Sequence, residues 1–80
     1  MTREEILKNI ETTIREIFDD ETLQISEDTK SDDVEGWDSL EHINIVGAIE
    51  KQFKIKFDIS EIIKLTNIGA FVNVIDKKIN

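Results

Sequence analysis

Eighty residues make one domain, near the size at which a single apolar core is just adequate. The absence of cysteine and the single histidine exclude disulfides, a thiol nucleophile belonging to the chain, and any cysteine or multi-histidine metal site. The net charge of −8 sits in residues 19–38, where nine acids face one base, Lys30, so the chain repels nucleic acid and anionic lipid and attracts basic partners.

No run approaches the roughly 20 apolar residues of a membrane span, and Met1–Glu5 lacks a secretory apolar segment. The expectation is one domain over residues 1–80, cytoplasmic, monomeric and without membrane insertion. Thr2 to Glu5 has the form of a capping box, threonine followed three residues later by glutamate. Ile6, Leu7, Ile10, Ile14, Ile17 and Phe18 then recur at helical spacing, which predicts a first helix over about residues 3–18.

Residues 19–37 read as a long loop. Asp19-Asp20-Glu21 ends the helix, Leu23 and Ile25 pin the loop to the core, and Val34 and Trp37 are further anchors. A connection of this length in a compact domain tends to be functional. It does not fit an EF-hand calcium loop: Lys30 falls in the ligand series and Gly36 in the wrong place, so no metal site is expected.

A second helix starts at Asp38, a good N-cap, with Glu41 placed as the acidic half of a capping box, and runs to about Phe53. At 100° per residue, Ile45, Ile49 and Phe53 share one face with His42 and Val46 beside them. Leu40, Ile43 and Gly47 fall away from that face. Two sizeable apolar side chains therefore flank Ser39 on the solvent side, as a partner footprint would. Gly47 costs the helix about 1 kcal/mol relative to alanine, which implies either close approach of another backbone or a tolerated weakness.

Lys54-Ile55-Lys56-Phe57 alternates but has no sheet to join, and reads as an extended loop with Ile55 and Phe57 turned inward. Asp58 or Ser60 caps a short third helix covering Ile62, Ile63 and Leu65. Thr66 or Asn67 caps a last helix striped by Ile68, Phe71, Val72, Ile75 and Ile79, with Lys77 and Lys78 opposing its negative end. The predicted fold is all-α: a small four-helix bundle with a long loop between helices one and two and a short third helix.

Ser39 is open to three readings. Asp38, Ser39 and His42 are the residue types of a hydrolytic triad, but Asp38 is committed as a cap. No Gly-x-Ser-x-Gly elbow is present, and no second loop offers an oxyanion hole. No catalytic residue is therefore assigned. In the second reading Ser39 only begins a helix in a module that binds other proteins. In the third it carries a covalent group. A phosphodiester at a helix start is favoured by about 0.3–1 kcal/mol when exposed, and with no thiol in the chain, thioester chemistry would require one brought by a cofactor.

With these features the chain resembles the acyl carrier proteins, the phosphopantetheine-bearing carriers of fatty acid and polyketide synthesis. The likeness runs from Thr2 to Ile79. It rests on the long first helix, the long loop, Gly36-Trp37-Asp38-Ser39-Leu40 opening helix two, Ala48-Ile49-Glu50-Lys51-Gln52-Phe53 closing it, and the passage from Phe57 through Leu65-Thr66-Asn67-Ile68. The resemblance implies that Ser39, flanked by Asp38 and Leu40 of the motif, takes 4′-phosphopantetheine from coenzyme A through a separate phosphopantetheinyl transferase. The thiol of that arm then carries acyl groups as thioesters between enzymes, and the carrier catalyses nothing.

It further implies that partner enzymes with basic surfaces, which load and process the acyl group, grip Leu40, Glu41, Ile43, Asn44, Gly47 and Glu50. An acyl chain would shelter against Ile45, Val46, Ile49, Ile62, Leu65 and Ile68. Asn44 and Lys51 stand where the family often has acids, and His42 replaces a small residue, which points to a specialised acyl pathway. Trp37-Asp38 differs from the glycine and histidine that precede the serine in peptidyl carriers. The alternatives are an aminoacyl or peptidyl carrier, and an unmodified interaction module on the same fold.

Overall fold

Thr2 starts the first helix by satisfying backbone donors that a helix end leaves free. Its hydroxyl accepts the Glu5 N–H at 3.1 Å, and its own N–H donates to the Glu5 carboxylate at 2.8 Å. The Glu5 carboxyl is held below its usual range by the Thr2 backbone N–H first and then by the Thr2 hydroxyl. The computed structural model describes all 80 residues, and this helix, α1, spans Arg3–Phe18. It ends where Asp19 turns left-handed (φ 51°) and returns its N–H to the Arg15 and Glu16 carbonyls. Ile6, Ile10 and Ile14 form its inner face and are wholly buried.

The long loop is fastened at several points. The Arg15 guanidinium donates to the Leu23 carbonyl at 2.6 Å, and the Ile25 N–H donates to the Glu11 carboxylate at 3.0 Å. Leu23 and Ile25 pack on the core, and Val34 is buried. A 3-10 turn at Ser31–Asp33, not foreseen from the sequence, breaks the loop in two. Ahead of it, an isolated antiparallel bridge joins Lys30 to Asn67.

That bridge serves the last helix. Among the first-turn N–H groups of that helix, Ile68 donates to the Thr29 carbonyl at 2.9 Å and Gly69 to the Glu27 carbonyl at 2.8 Å. A Cβ at residue 69 would lie 3.0 Å from the Glu27 oxygen, so glycine is what lets the loop approach. Arg3 crosses over to pair with Glu27 at 2.5 Å, which lowers the Glu27 carboxyl below its ordinary value. Both groups are solvent-exposed, so the pair orients the loop more than it stabilises the fold.

The remaining helices are α2 (Ser39–Phe53), α3 (Ile59–Ile63) and α4 (Ile68–Ile79). The all-α four-helix architecture is the one the periodicities predict. α1 packs on both α4 and α2, and the centre is filled by Ile45, Ile49, Ile68, Phe71, Val72 and Ile75, each with no solvent exposure. Glu50 turns its carboxylate to the Phe57 N–H at 2.8 Å, folding the chain back after α2, with Ile55 half-buried and Phe57 buried.

Two expectations need correction. The third helix stops at Ile63; Leu65 lies beyond it in a turn, yet is buried. Asp58 is the cap, sharing a reciprocal box with Glu61, and its carboxyl is held below the usual range chiefly by the Ser60 hydroxyl and then by the Glu61 N–H. Five residues give too few turns to bury both Ile62 and Ile63, and Ile63 is 73% exposed. Lys77 and Lys78 lie in the last turn of α4, as expected, and Lys78 also reaches Glu61 at 3.1 Å, tying α4 to α3. The second correction, the incomplete capping box at Asp38, belongs to the site below.

Gly47 is the one glycine the fold does not require. A Cβ there meets nothing within 4 Å, which removes the close-approach explanation. Gly47→Ala is expected to raise stability by about 0.5–1 kcal/mol, since alanine loses less backbone freedom in a helix. Thermal denaturation checks this; a lower melting temperature would show a backbone constraint at residue 47.

Candidate functional site at the start of the second helix

Gly36 makes the approach to α2. Its φ of +88° is a conformation L side chains rarely adopt, and the Phe18 ring lies alongside it. The next residue, Trp37, is half-buried with its ring 6.2 Å from Phe18 and 6.3 Å from Phe71. Trp37 is therefore an anchor, as the sequence implies, and it fixes where the helix begins.

Asp38 caps that helix, its carboxylate accepting the Glu41 N–H at 2.8 Å. The reciprocal half of the box is absent, a correction to the sequence reading. Asp38 gives its N–H to the Gly36 carbonyl at 3.0 Å, in the tight turn that Gly36 sets up, and the Glu41 carboxylate pairs with the Asn44 amide instead. Ser39 follows as the first helical residue and is exposed.

His42, one turn on, is half-buried. It accepts the Trp37 indole N–H on Nδ1 at 3.1 Å and lies 5.9 Å edge-on to Phe71. Asp38 is engaged with the helix start, and because His42 accepts on Nδ1 its other nitrogen carries the proton in the neutral ring and cannot accept one from Ser39. The arrangement does not make a hydrolase.

Beside Ser39 lies an open groove of about 600 Å³. Trp37, Asp38, His42 and Ile43 line one wall, and Ile62, Ile63, Leu65 and Thr66 the other, with Ser31 and Asp32 at the edge. Its lining mixes polar and apolar side chains. An exposed hydroxyl at the head of such a groove has the room and the mixed lining that a phosphodiester followed by an extended, partly apolar arm needs.

The expected partner surface divides. Leu40 is 67% and Ile43 57% exposed, and Asn44 and Gly47 are exposed with them. Glu41 and Glu50 are half-buried, and Glu50 also holds the Phe57 backbone. Leu40 faces solvent and is not part of the groove wall. Sequence reading overlooked Ile59 and Ile63, exposed by 76% and 73%. Their spacing of four on α3, which puts them on one face, was the available signal.

Comparison with known proteins agrees with this geometry. The family model described as a phosphopantetheine attachment site matches residues 8–75. An acyl carrier protein of Thermotoga maritima is 32% identical over 78 residues, 98% of this chain and 96% of its own. One from Cyanidium caldarium is also 32% identical, over all of this chain and 93% of its own. A solution NMR structure of holo acyl carrier protein from Geobacter metallireducens superposes with a TM-score of 0.84 at 36% identity, covering 90% of this chain and 83% of that one.

The chain belongs to the acyl carrier protein family. It is a carrier rather than a catalyst, and its cofactor is covalently attached phosphopantetheine. No helix is long and apolar enough to cross a membrane.

Proposed function

We propose that Ser39 is the residue that bears the arm, and that the protein is a discrete carrier whose bound thiol moves acyl groups as thioesters between soluble enzymes of the cytoplasm. The observation that carries the assignment is the state of the four serines. Ser60 is engaged with the Asp58 carboxylate at 2.6 Å, Ser26 pairs with Thr29 in a tight turn, and Ser31 is half-buried in the 3-10 turn. Ser39 alone combines an exposed hydroxyl free of side-chain hydrogen bonds with the first position of a long helix and a place in the groove.

The chain's own residues supply the setting. Asp38 and Trp37 fix the helix start, and the first-turn N–H groups of α2 favour an anion on the Ser39 oxygen. The negative field of residues 19–38 steers the transferase and the acyl-loading enzymes by their basic surfaces. Leu40, Ile43, Asn44 and Gly47, extended by Ile59 and Ile63 across the groove, form the docking surface, with Glu41 and Glu50 at its edge. Asn44 and Lys51 lower the acidity of α2 itself, which supports partners other than those of housekeeping fatty acid synthesis.

Incubation with coenzyme A and a broad-specificity phosphopantetheinyl transferase tests the proposal. The expected intact mass is that of the protein plus one arm. An unchanged mass would mark the protein as an interaction module on the carrier fold. The docking surface is tested by Ile43→Asp, which is expected to slow loading and transfer several-fold while helicity and melting temperature stay close to wild type. Loss of helicity would place Ile43 in the core.

A further inference from the structure

His42 has a hydrogen-bonding end that its structural role does not use. Nδ1 accepts the Trp37 indole N–H at 3.1 Å, so in the neutral ring the proton resides on Nε2. Nε2 has no partner within the protein. No buried side-chain nitrogen or oxygen lacks one, so Nε2 is open to solvent. The ring stands against Trp37 and Phe71 at 6.0 and 5.9 Å, which leaves little freedom to turn.

His42 follows Ser39 by three residues on α2, where side chains are neighbours on the helix surface, about 5–6 Å apart at Cβ. Helical side chains also lean toward the N-terminus, here toward Ser39. Both residues line the same groove. The Trp37 bond therefore sets the tautomer and leaves the Nε2–H donor free on a residue that shares the groove with Ser39.

On the reading that Ser39 bears the arm, we infer that His42 is a positioning residue that donates its Nε2–H to a non-bridging oxygen of the phosphodiester on Ser39. Trp37 acts as the orienting partner behind it. The contact fixes the first link of the arm against the Trp37 side of the groove, and so sets the direction in which the arm leaves the helix. The structural role calls for a ring against Phe71 and an acceptor for the Trp37 N–H, and would need no donor.

The test compares apo and holo protein by ¹⁵N NMR of the imidazole at one pH, after intact mass has shown whether the arm is attached. Attachment is expected to move the Nε2 resonance and leave Nδ1, held by Trp37, near its apo position. In the holo protein His42→Phe should shift the phosphodiester ³¹P line, and His42→Gln, which keeps an N–H donor, should bring it back toward wild type. An arm on Ser39 that leaves Nε2 unmoved would overturn the inference, as would a ³¹P line identical in all three proteins. A protein that gains no mass overturns the Ser39 assignment and the inference with it, and the mass reading distinguishes that failure from the other.

Discussion

Ser39→Ala is expected to reduce arm transfer from coenzyme A to background while leaving the fold unchanged. Alanine is the strongest helix former, and the cap that starts α2 belongs to Asp38, not to Ser39. The change in stability should therefore stay within about 0.5 kcal/mol, as for exposed positions that serve no structural purpose. Ser31 borders the same groove but is half-buried in its own turn and should not take over. Intact mass reads the first half of the prediction and thermal denaturation the second. Continued gain of one arm by the variant would move the attachment point to another residue.

Phe71→Ala is expected to have the largest effect on the fold. Phe71 has no solvent exposure, and its ring meets Trp37, His42 and Phe57 at 6.3, 5.9 and 6.4 Å. Truncating a buried phenylalanine costs about 3–5 kcal/mol in lost transfer energy and cavity. A domain of this length has only about 4–12 kcal/mol in total, at roughly 0.05–0.15 kcal/mol per residue. The melting temperature should fall by tens of degrees, or the cooperative transition should vanish. Because Trp37 and His42 rest on the same ring, loss of Phe71 should also loosen the start of α2. Trp37 emission, the only tryptophan signal in the chain, should shift toward that of exposed indole before global unfolding. A variant melting within a few degrees of wild type would show that the aromatic cluster is not the keystone between core and site.

Much of this was legible in the chain because local rules and tertiary packing agree. α1 and α4 carry single apolar stripes ending at caps, and both lie within a residue of where period and capping place them. On α2, Leu40 and Ile43 break the stripe, and exposure is the physical reason they could be read as surface. What remained hidden depends on contacts distant in sequence. The Lys30–Asn67 bridge pairs backbone groups, which no side-chain pattern records. The α3 boundary was misplaced because Ile62, Ile63 and Leu65 satisfy helical spacing equally well inside or beyond a five-residue helix. Glu41 had the spacing of a capping box, but the turn at Gly36 takes the Asp38 N–H first. The Trp37–His42 bond was visible only as two residues five apart, one outside the helix and one within.

The site was legible to a different degree. Asp38-Ser39-Leu40 identifies a helix start, and the likeness across the whole chain shows the family; the chemistry proposed at that start rests on both. Composition alone left a triad, a cap and an attachment point in competition. The groove, its mixed lining and the role of α3 in walling it required the folded chain.

The central claim, that Ser39 bears phosphopantetheine, is tested most directly by fragmentation mass spectrometry on the protein purified from its own cells. The fragments should place one phosphopantetheine on Ser39 and leave Ser26, Ser31 and Ser60 unmodified. An arm on any other residue, or a wholly unmodified pool, would contradict the account.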